Sequence, residues 1–266
     1  MSTKNLKKKR RRNARLLLVV AAGVILLLGI VLIVVALGNV LTGGGKTNDT
    51  TPTTAVADTT TTTRPTALFV DGHYVQQSLP AWNLRLVNGW NPLSADYGYE
   101  DHLIPYGNGK FDSRAAEALR NMLAAGKEFG LRPVSLFRAY DLQVKLFDSE
   151  VADWKSAGYS QAEAEQKAST EVARPGTSEH HLGLAADILS DGVYSLEESF
   201  ENTAAFRWLK AHCAEYGFIL RYPKEKEEVT GVIYEPWHYR YVGVEAATEI
   251  MSRGICLEEY LAEVYG

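Results

Sequence analysis

Apolar residues form one long uncharged block near the N-terminus, and this block is the strongest pattern in the chain. Residues 16–41 carry no charged side chain over 26 positions, and about 20 apolar residues are enough to span a bilayer as a helix. A cleaved signal peptide has a shorter apolar core, so the block predicts an uncleaved transmembrane anchor. Residues 1–15 hold eight Lys and Arg and no acid, which predicts that they stay in the cytoplasm and that the C-terminal bulk lies outside.

From residue 67 onward, apolar positions recur with helical or strand spacing, which predicts one folded domain over residues 67–266. A first helix is expected from a cap at Asp112 or Ser113 to Gly130. Its apolar side chains share one face, namely Ala116, Leu119, Met122 and Leu123. A second helix is expected to begin with Asp141 as its cap and to carry Leu142, Leu146 and Trp154.

Three further helices are predicted in the second half of the domain. Ser160 and Glu163 have the spacing of a capping box, so a third helix is expected to begin there and to run to about residue 172. The other two are expected over residues 203–216, before Gly217, and over residues 244–264.

Strand patterns alternate irregularly with these helices. They cover residues 133–140, 184–189, 218–223 and 231–243. Because strands and helices are mixed without regular β-α-β alternation, we expect an α+β domain with a small antiparallel sheet flanked by helices.

The charge distribution separates the N-terminal segment from the rest of the chain. The net charge is −4, but residues 42–266 hold all 32 acidic residues and 20 of the 28 basic ones, a net charge of −12. An acidic exterior domain argues against nucleic acid as a partner. Residues 42–66 contain twelve threonines in 25 positions without apolar periodicity, which predicts a flexible linker that holds the domain off the membrane. Nothing in the pattern indicates an oligomeric state.

Two cysteines, Cys213 and Cys256, lie in the predicted exterior domain. Outside the membrane cysteines often pair, so we expect a disulfide, which would stabilise the fold by about 4 kcal/mol in the chain-entropy model. The alternative is two buried thiols. Neither cysteine has the neighbouring partner that is typical of a metal site.

The stretch "TSEHHLGLAADI" suggests metal chemistry. His180 and Asp187 are seven residues apart, and a turn followed by a strand would let both face one point. A catalytic zinc needs three protein ligands and an open position, and His238 is the best candidate for the third. Glu235 precedes His238 by three residues, with Pro236 between them excluding a helix interior, and is placed to act as a general base.

Other interpretations of these residues remain open at this point. Two adjacent histidines are often exposed surface residues without a functional role, and His181 has no evident role as a ligand. Glu179 competes with Glu235 as the base, but it adjoins His180 on a segment where neighbouring side chains diverge.

Three segments carry a family resemblance. "RPGTSEHHLGLAADI" fits the pattern S-x-H-x-x-G-x-A-x-D, "EPWHYRYVG" fits E-x-W-H, and "FRAYDLQ" is similar to Y-R-S-x-x-x-Q. Together they resemble the VanY-type D-alanyl-D-alanine carboxypeptidases, a family of zinc peptidases, over essentially all of residues 80–262. The family segment usually begins Gly-Tyr-Arg-Ser, whereas this chain has Leu136 to Ala139 there. The missing serine puts any hydrogen bond from position 139 in doubt, but not the arginine.

The resemblance implies a set of roles and a fold similar to that of the hedgehog signalling domains. His180, Asp187 and His238 would bind Zn²⁺, Glu235 would be the catalytic base, and Arg138 would hold the developing oxyanion. The substrate-binding residues implied are Ser178, Gln143 and Tyr222.

The implied function is that of a membrane-anchored zinc D,D-carboxypeptidase. It would remove the C-terminal D-Ala from peptidoglycan stem peptides at the outer face of a bacterial cell membrane, with a single transmembrane span. The alternatives are an L,D-carboxypeptidase or an endopeptidase with the same zinc site, and a non-catalytic zinc-containing wall-binding module.

Overall fold

The computed structural model describes residues 68–77, 81–98 and 100–265. The predicted cytoplasmic segment (1–15), transmembrane anchor (16–41) and linker (42–66) lie outside these residues. Within the described ranges, no helix is both long enough and apolar enough to cross a bilayer.

Two antiparallel hairpins come first along the described chain. They consist of β1 (Leu68–Val70) with β2 (His73–Val75), and of β3 (Leu103–Tyr106) with β4 (Gly109–Asp112). All three residues of β1 are exposed. In β4, Phe111 and Asp112 are buried, so the second hairpin is joined to the core through the end of this strand.

The main sheet has four antiparallel strands in the order β5-β6-β8-β7. Their bounds are β5 (Arg132–Ser135), β6 (Ala185–Leu189), β7 (Phe218–Leu220) and β8 (His238–Tyr241). Every residue of the inner strand β6 is buried. Asp187 is its one charged residue, and it lies between Ser135 of β5 and His238 of β8 in the register.

Helices pack around this sheet. The α-helices in the described ranges are α1 (Ala116–Ala125), α2 (Tyr140–Ser156), α3 (Gln161–Ser169), α4 (Ala204–His212), α5 (Glu227–Thr230), α6 (Val244–Arg253) and α7 (Leu257–Tyr265). Short 3-10 helices cover Trp82–Leu84, Lys127–Phe129, Glu179–Leu182, Glu198–Asn202, Cys213–Tyr216 and Lys224–Lys226.

The main core joins the sheet to α1 and α4. Its fully buried members include Phe111, Leu119, Ile188, Leu209 and Tyr239. A second cluster lies under α6 and α7, and a third, small one joins α2 to α3. The strands that carry the predicted ligands are therefore fixed by packing, which excludes water from their buried faces.

The expectation of a mixed α+β domain with a small antiparallel sheet and flanking helices is confirmed. The capping box is also confirmed, because the Ser160 hydroxyl accepts from the Glu163 N–H and the Glu163 carboxylate accepts from the Ser160 N–H. The helix expected over 203–216 is α4 followed by a 3-10 turn that ends at Gly217.

Several predicted boundaries were wrong. Ala115 and Ala139, rather than the predicted residues, are the N-caps of α1 and α2. Asp112 instead accepts hydrogen bonds from the Arg114 backbone and guanidinium. The last predicted helix is two helices, because Gly254 adopts a left-handed conformation. The strand expected over 231–243 is limited to β8 because a turn precedes His238.

The predicted disulfide is also corrected, because Cys213 and Cys256 are both free and buried. Cys213 belongs to the main core at the end of α4, whereas Cys256 immediately precedes α7. Burial raises the pKa of the Cys213 thiol to about 12. Each thiol therefore behaves as a small apolar side chain within its own packing environment.

Candidate metal centre

Strand pairing brings two of the predicted ligands together. Asp187 of β6 lies directly opposite His238 of β8, and the His238 Nδ1 atom is 3.0 Å from the Asp187 Oδ1 atom. Cβ atoms of directly opposed residues lie about 4.5–5.5 Å apart, so the register of two strands alone places this carboxylate against this imidazole.

The third predicted ligand comes from the short 3-10 helix Glu179–Leu182. This helix ends at Gly183, whose φ of 67° is a left-handed conformation that glycine adopts readily. The His180 Nδ1–H donates to the Leu136 carbonyl at 2.7 Å. Its Nε2 atom then carries the lone pair and lies 3.2 Å from the Asp187 Oδ2 atom.

The three side chains fit a divalent metal. Each is buried and offers one ligand atom, and these atoms all lie within 4.8 Å of one another. Two imidazole nitrogens and one carboxylate oxygen form a common ligand set of zinc hydrolases. The predicted set of His180, Asp187 and His238 is thus assembled in space.

The protonation states of the three ligands differ. Burial lowers the pKa of His180, which favours its neutral form. Burial alone would raise the pKa of Asp187, but His180 and His238 hold it well below its usual range. Burial alone would lower the pKa of His238, but the neighbouring carboxylates of Asp187 and Glu179 outweigh it and raise that pKa to about 9.

Glu235 lies at the edge of this group. A turn in which the His238 N–H donates to the Glu235 carbonyl at 3.2 Å brings the Glu235 Oε2 atom to 3.6 Å from the His238 Nδ1 atom. Burial, reinforced by the negative charge of Asp187, raises the pKa of Glu235 to about 7. A carboxyl group with a pKa near neutrality is suited to take up and return a proton.

Arg138 approaches the same site from the segment between β5 and α2. Its Nη1 donates to the Gln143 Oε1 atom at 2.9 Å and its Nη2 to the Ser135 hydroxyl at 3.0 Å. Burial lowers the pKa of this guanidinium, and the charges of Asp187 and Glu235 oppose that shift. Since an arginine stays protonated in proteins, the site holds one fixed positive charge beside its carboxylates.

The comparisons with known proteins agree with this geometry. Residues 108–244 match the family model described as VanY, D-alanyl-D-alanine carboxypeptidase. A D-alanyl-D-alanine carboxypeptidase of Enterococcus faecalis is 45% identical over 182 residues, which cover 68% of this chain and 66% of that protein. The chain belongs to the VanY family.

Two solved structures have the same fold. One is a mutant of the vancomycin resistance D,D-pentapeptidase VanY from a VanB-type cassette in complex with Zn(II); it is 45% identical, with a TM-score of 0.60, and the match covers 68% of this chain and 99% of that one. The other is the LD-carboxypeptidase LdcB, which is 37% identical with a TM-score of 0.60 over 74% of this chain and 94% of that one. The prediction of a zinc D-alanyl-D-alanine carboxypeptidase is therefore confirmed.

The predicted substrate contacts of this VanY chain lie around the same centre. Ser178 and Gln143 are buried. The Gln143 amide is held inside the protein, because it accepts from Arg138 and its Nε2 donates to the Ala173 carbonyl at 2.7 Å. The Tyr222 ring packs against the His238 ring with centroids 4.8 Å apart. Tyr222 therefore contacts the imidazole of a metal ligand.

Two residues next to the first ligand have contacts that the sequence did not indicate. His181 is fully buried, and its Nδ1 donates to the Arg138 carbonyl at 2.6 Å. Since the Arg138 N–H also donates to the His180 carbonyl, this VanY chain ties the arginine segment to the ligand loop on both sides. Glu179 faces the far side of His238, away from Glu235, which excludes it as an alternative base.

Proposed function

We propose that the chain is a membrane-anchored D,D-carboxypeptidase that hydrolyses the C-terminal D-Ala from peptidoglycan stem peptides outside the cytoplasm. The observation that carries this proposal is the position of Glu235, 3.6 Å from Nδ1 of His238 at the edge of a buried set of two histidines and one aspartate. A ligand set with an adjacent carboxylate that is not a ligand provides both the metal site and the general base that metal-dependent peptide hydrolysis uses.

Each polar group has a separate role in the proposed reaction. His180, Asp187 and His238 hold the zinc, which when bound supplies the Lewis acidity that activates water and polarises the peptide carbonyl. Glu235 accepts the proton of the attacking water and returns it to the amine of the departing D-alanine. Its pKa of about 7 lets one carboxyl group perform both transfers near neutral pH.

Arg138 stabilises the negative charge that develops on the carbonyl oxygen. Hydrogen bonds to Gln143 and Ser135 fix its guanidinium before the substrate arrives. A preorganised cation in a water-excluded site stabilises a developing oxyanion more strongly than a solvated one. The half-buried, hydrogen-bonded position of Arg138 beside the metal ligands therefore supports its assignment to the oxyanion.

D,D-specificity is the better-supported choice among the peptidase alternatives. The D,D-pentapeptidase is 45% identical to this chain and the LD-carboxypeptidase is 37% identical. The L,D-carboxypeptidase and endopeptidase activities remain outcomes of the test below. A non-catalytic wall-binding module would not need both Glu235 and Arg138 at the metal set.

The predicted anchor and linker support a location of the catalytic domain at the outer face of the membrane. The uncharged block at residues 16–41, the basic residues before it and the threonine-rich segment after it support a single span with the catalytic domain on the outside. We expect the full-length chain to stay with bacterial membranes after alkaline extraction, and a variant lacking residues 16–41 to be released. Release of the full-length chain would contradict the anchor.

A release assay tests the activity. The full-length chain in mild detergent is incubated with muropeptides that carry pentapeptide, tetrapeptide or cross-linked stems, and the products are separated by mass spectrometry. We expect conversion of pentapeptide to tetrapeptide, its loss with a chelator and its return with Zn²⁺. Conversion of tetrapeptide to tripeptide would identify an L,D-enzyme, and cleavage of cross-links an endopeptidase. No conversion of any substrate would contradict the proposed function.

A further inference from the structure

The metal ligand His238 has a second nitrogen, which faces a buried carboxylate. Its Nε2 atom lies 3.5 Å from the Oε2 atom of Glu179. Both side chains are buried, and among the described residues neither of these two atoms has another hydrogen-bond partner. A buried donor and a buried acceptor left unpaired are each costly, and here they face one another.

The other oxygen of Glu179 fixes the direction of the carboxylate. Its Oε1 atom accepts from Nε of Arg221 at 2.7 Å and from Nη1 of Arg240 at 2.8 Å. Arg221 also donates two hydrogen bonds to Glu258 of α7, at 2.9 and 2.6 Å. These four charged side chains are fully or almost fully buried and carry no net charge together. The Glu179 carboxylate therefore cannot turn away without breaking the ion pair of Arg240, which has no other carboxylate partner among the described residues.

We propose that Glu179 is a positioning residue that accepts the Nε2–H of His238 and so keeps the lone pair of Nδ1 directed at the metal. This inference rests on the zinc site of the proposed function. His180 has the complementary arrangement, since its Nδ1–H donates to the Leu136 carbonyl and leaves Nε2 for the metal. Outer partners of this kind fix the tautomer and orientation of a ligand imidazole.

The substitution Glu179→Gln separates this role from simple ion pairing. The two arginines donate to the Oε1 position, so they retain the amide oxygen of the glutamine there. The amide NH₂ group then faces Nε2 of His238 as a donor. This NH₂ donor favours the His238 tautomer that carries its proton on Nδ1. In that tautomer Nδ1 has no free lone pair and cannot bind the metal.

Glu258→Gln is the matched control. It removes the same charge from the same Arg221, but Glu258 has no contact with His238 among the described residues. The zinc Kd of the full-length chain is measured by chelator competition above pH about 9, where the proton on His238 no longer competes. The melting temperature of each zinc-free variant is measured in parallel.

We expect both variants to melt at lower temperature, and only Glu179→Gln to weaken zinc binding, by roughly 10- to 100-fold. A Glu179→Gln protein that binds zinc as tightly as the wild type would overturn the inference. Equal weakening by Glu258→Gln would overturn it as well, because the effect would then belong to the network as a whole. Failure of the wild type to bind zinc would instead contradict the proposed function.

A measurement on the wild type covers the case in which Glu179→Gln does not fold. With ¹⁵N-histidine labelling, NMR of the zinc-loaded full-length chain identifies the protonated nitrogen of His238. We expect a proton on Nε2, protected from solvent by the hydrogen bond to Glu179. A proton on Nδ1, or a freely exchanging Nε2 proton, would refute the proposed role.

Discussion

The guanidinium of Arg138 rests on the buried amide of Gln143, with Nη1 donating to Oε1 at 2.9 Å. The same amide donates to the Ala173 carbonyl at 2.7 Å, so it spans from the arginine to the loop that precedes the ligand segment. Gln143 is therefore placed to orient Arg138, in addition to the substrate contact that the family resemblance implies.

Replacing Gln143 by methionine, which has a similar size, removes both hydrogen bonds. If Gln143 orients the oxyanion-binding arginine, kcat falls about 100-fold, because a displacement of about 1 Å in a catalytic group has an effect of that order. The zinc Kd should stay unchanged. A rise in KM with unchanged kcat would show that Gln143 acts through substrate binding instead.

Replacing Glu235 by glutamine removes the proton acceptor and keeps the shape of the side chain. We expect kcat/KM on a pentapeptide substrate to fall by roughly 10²- to 10⁴-fold, which is the usual contribution of a general base. Zinc content, measured by atomic absorption, should remain that of the wild type because Glu235 is not one of the three ligands. Full activity in a zinc-loaded Glu235→Gln protein would contradict the mechanism.

Zinc binding should depend on pH through one ligand. The pKa of His180 lies below its ordinary value and that of Asp187 well below its usual range, so both are ready to bind metal at pH 7. His238, with a pKa of about 9, must first lose a proton. We therefore expect the zinc affinity to rise about tenfold per pH unit up to pH 9.

Calorimetry in buffers of different ionisation enthalpy counts the released protons. About one proton should leave for each zinc bound at pH 7. Without zinc, the stability contributed by protonated His238 is fully present below its unfolded pKa of 6.5 and is lost as the pH rises to about 9. Proton-independent zinc binding would contradict this assignment.

Cys213 and Cys256 should behave as two buried thiols. Their pKa values are raised by burial, so we expect slow alkylation of the native protein and two alkylated cysteines per chain after denaturation without reductant. The melting temperature should not change when a reductant is added. Protection of both cysteines after denaturation would instead show that they are paired.

The metal ligands could be predicted from the sequence because their residue types and spacing match the motifs of a known family, although Asp187 and His238 lie 51 residues apart. A strand that contains one charged residue, Asp187, and a turn that ends at His238 place two ligands on neighbouring strands. The capping box at Ser160 was predictable for a different reason, since all its contacts lie within four residues.

The contacts around the ligands were not predictable from local patterns. Glu179 is held by Arg221 and Arg240, which lie 42 and 61 residues further along the chain. Without the fold, an acidic residue beside two histidines is typical of a solvated surface turn. The sequence likewise indicated no role for His181. Tertiary packing nevertheless buries it, and it donates a hydrogen bond to the Arg138 carbonyl.

The pairing of β6 with β8 decides when the metal site is complete. Asp187 and His238 lie 51 residues apart in the chain, so the centre forms only after a long loop has closed. A chain that ends before β8 keeps only two of its three ligands, His180 and Asp187. The enzyme would in this way gain activity only once both ligand strands of its sheet are in place.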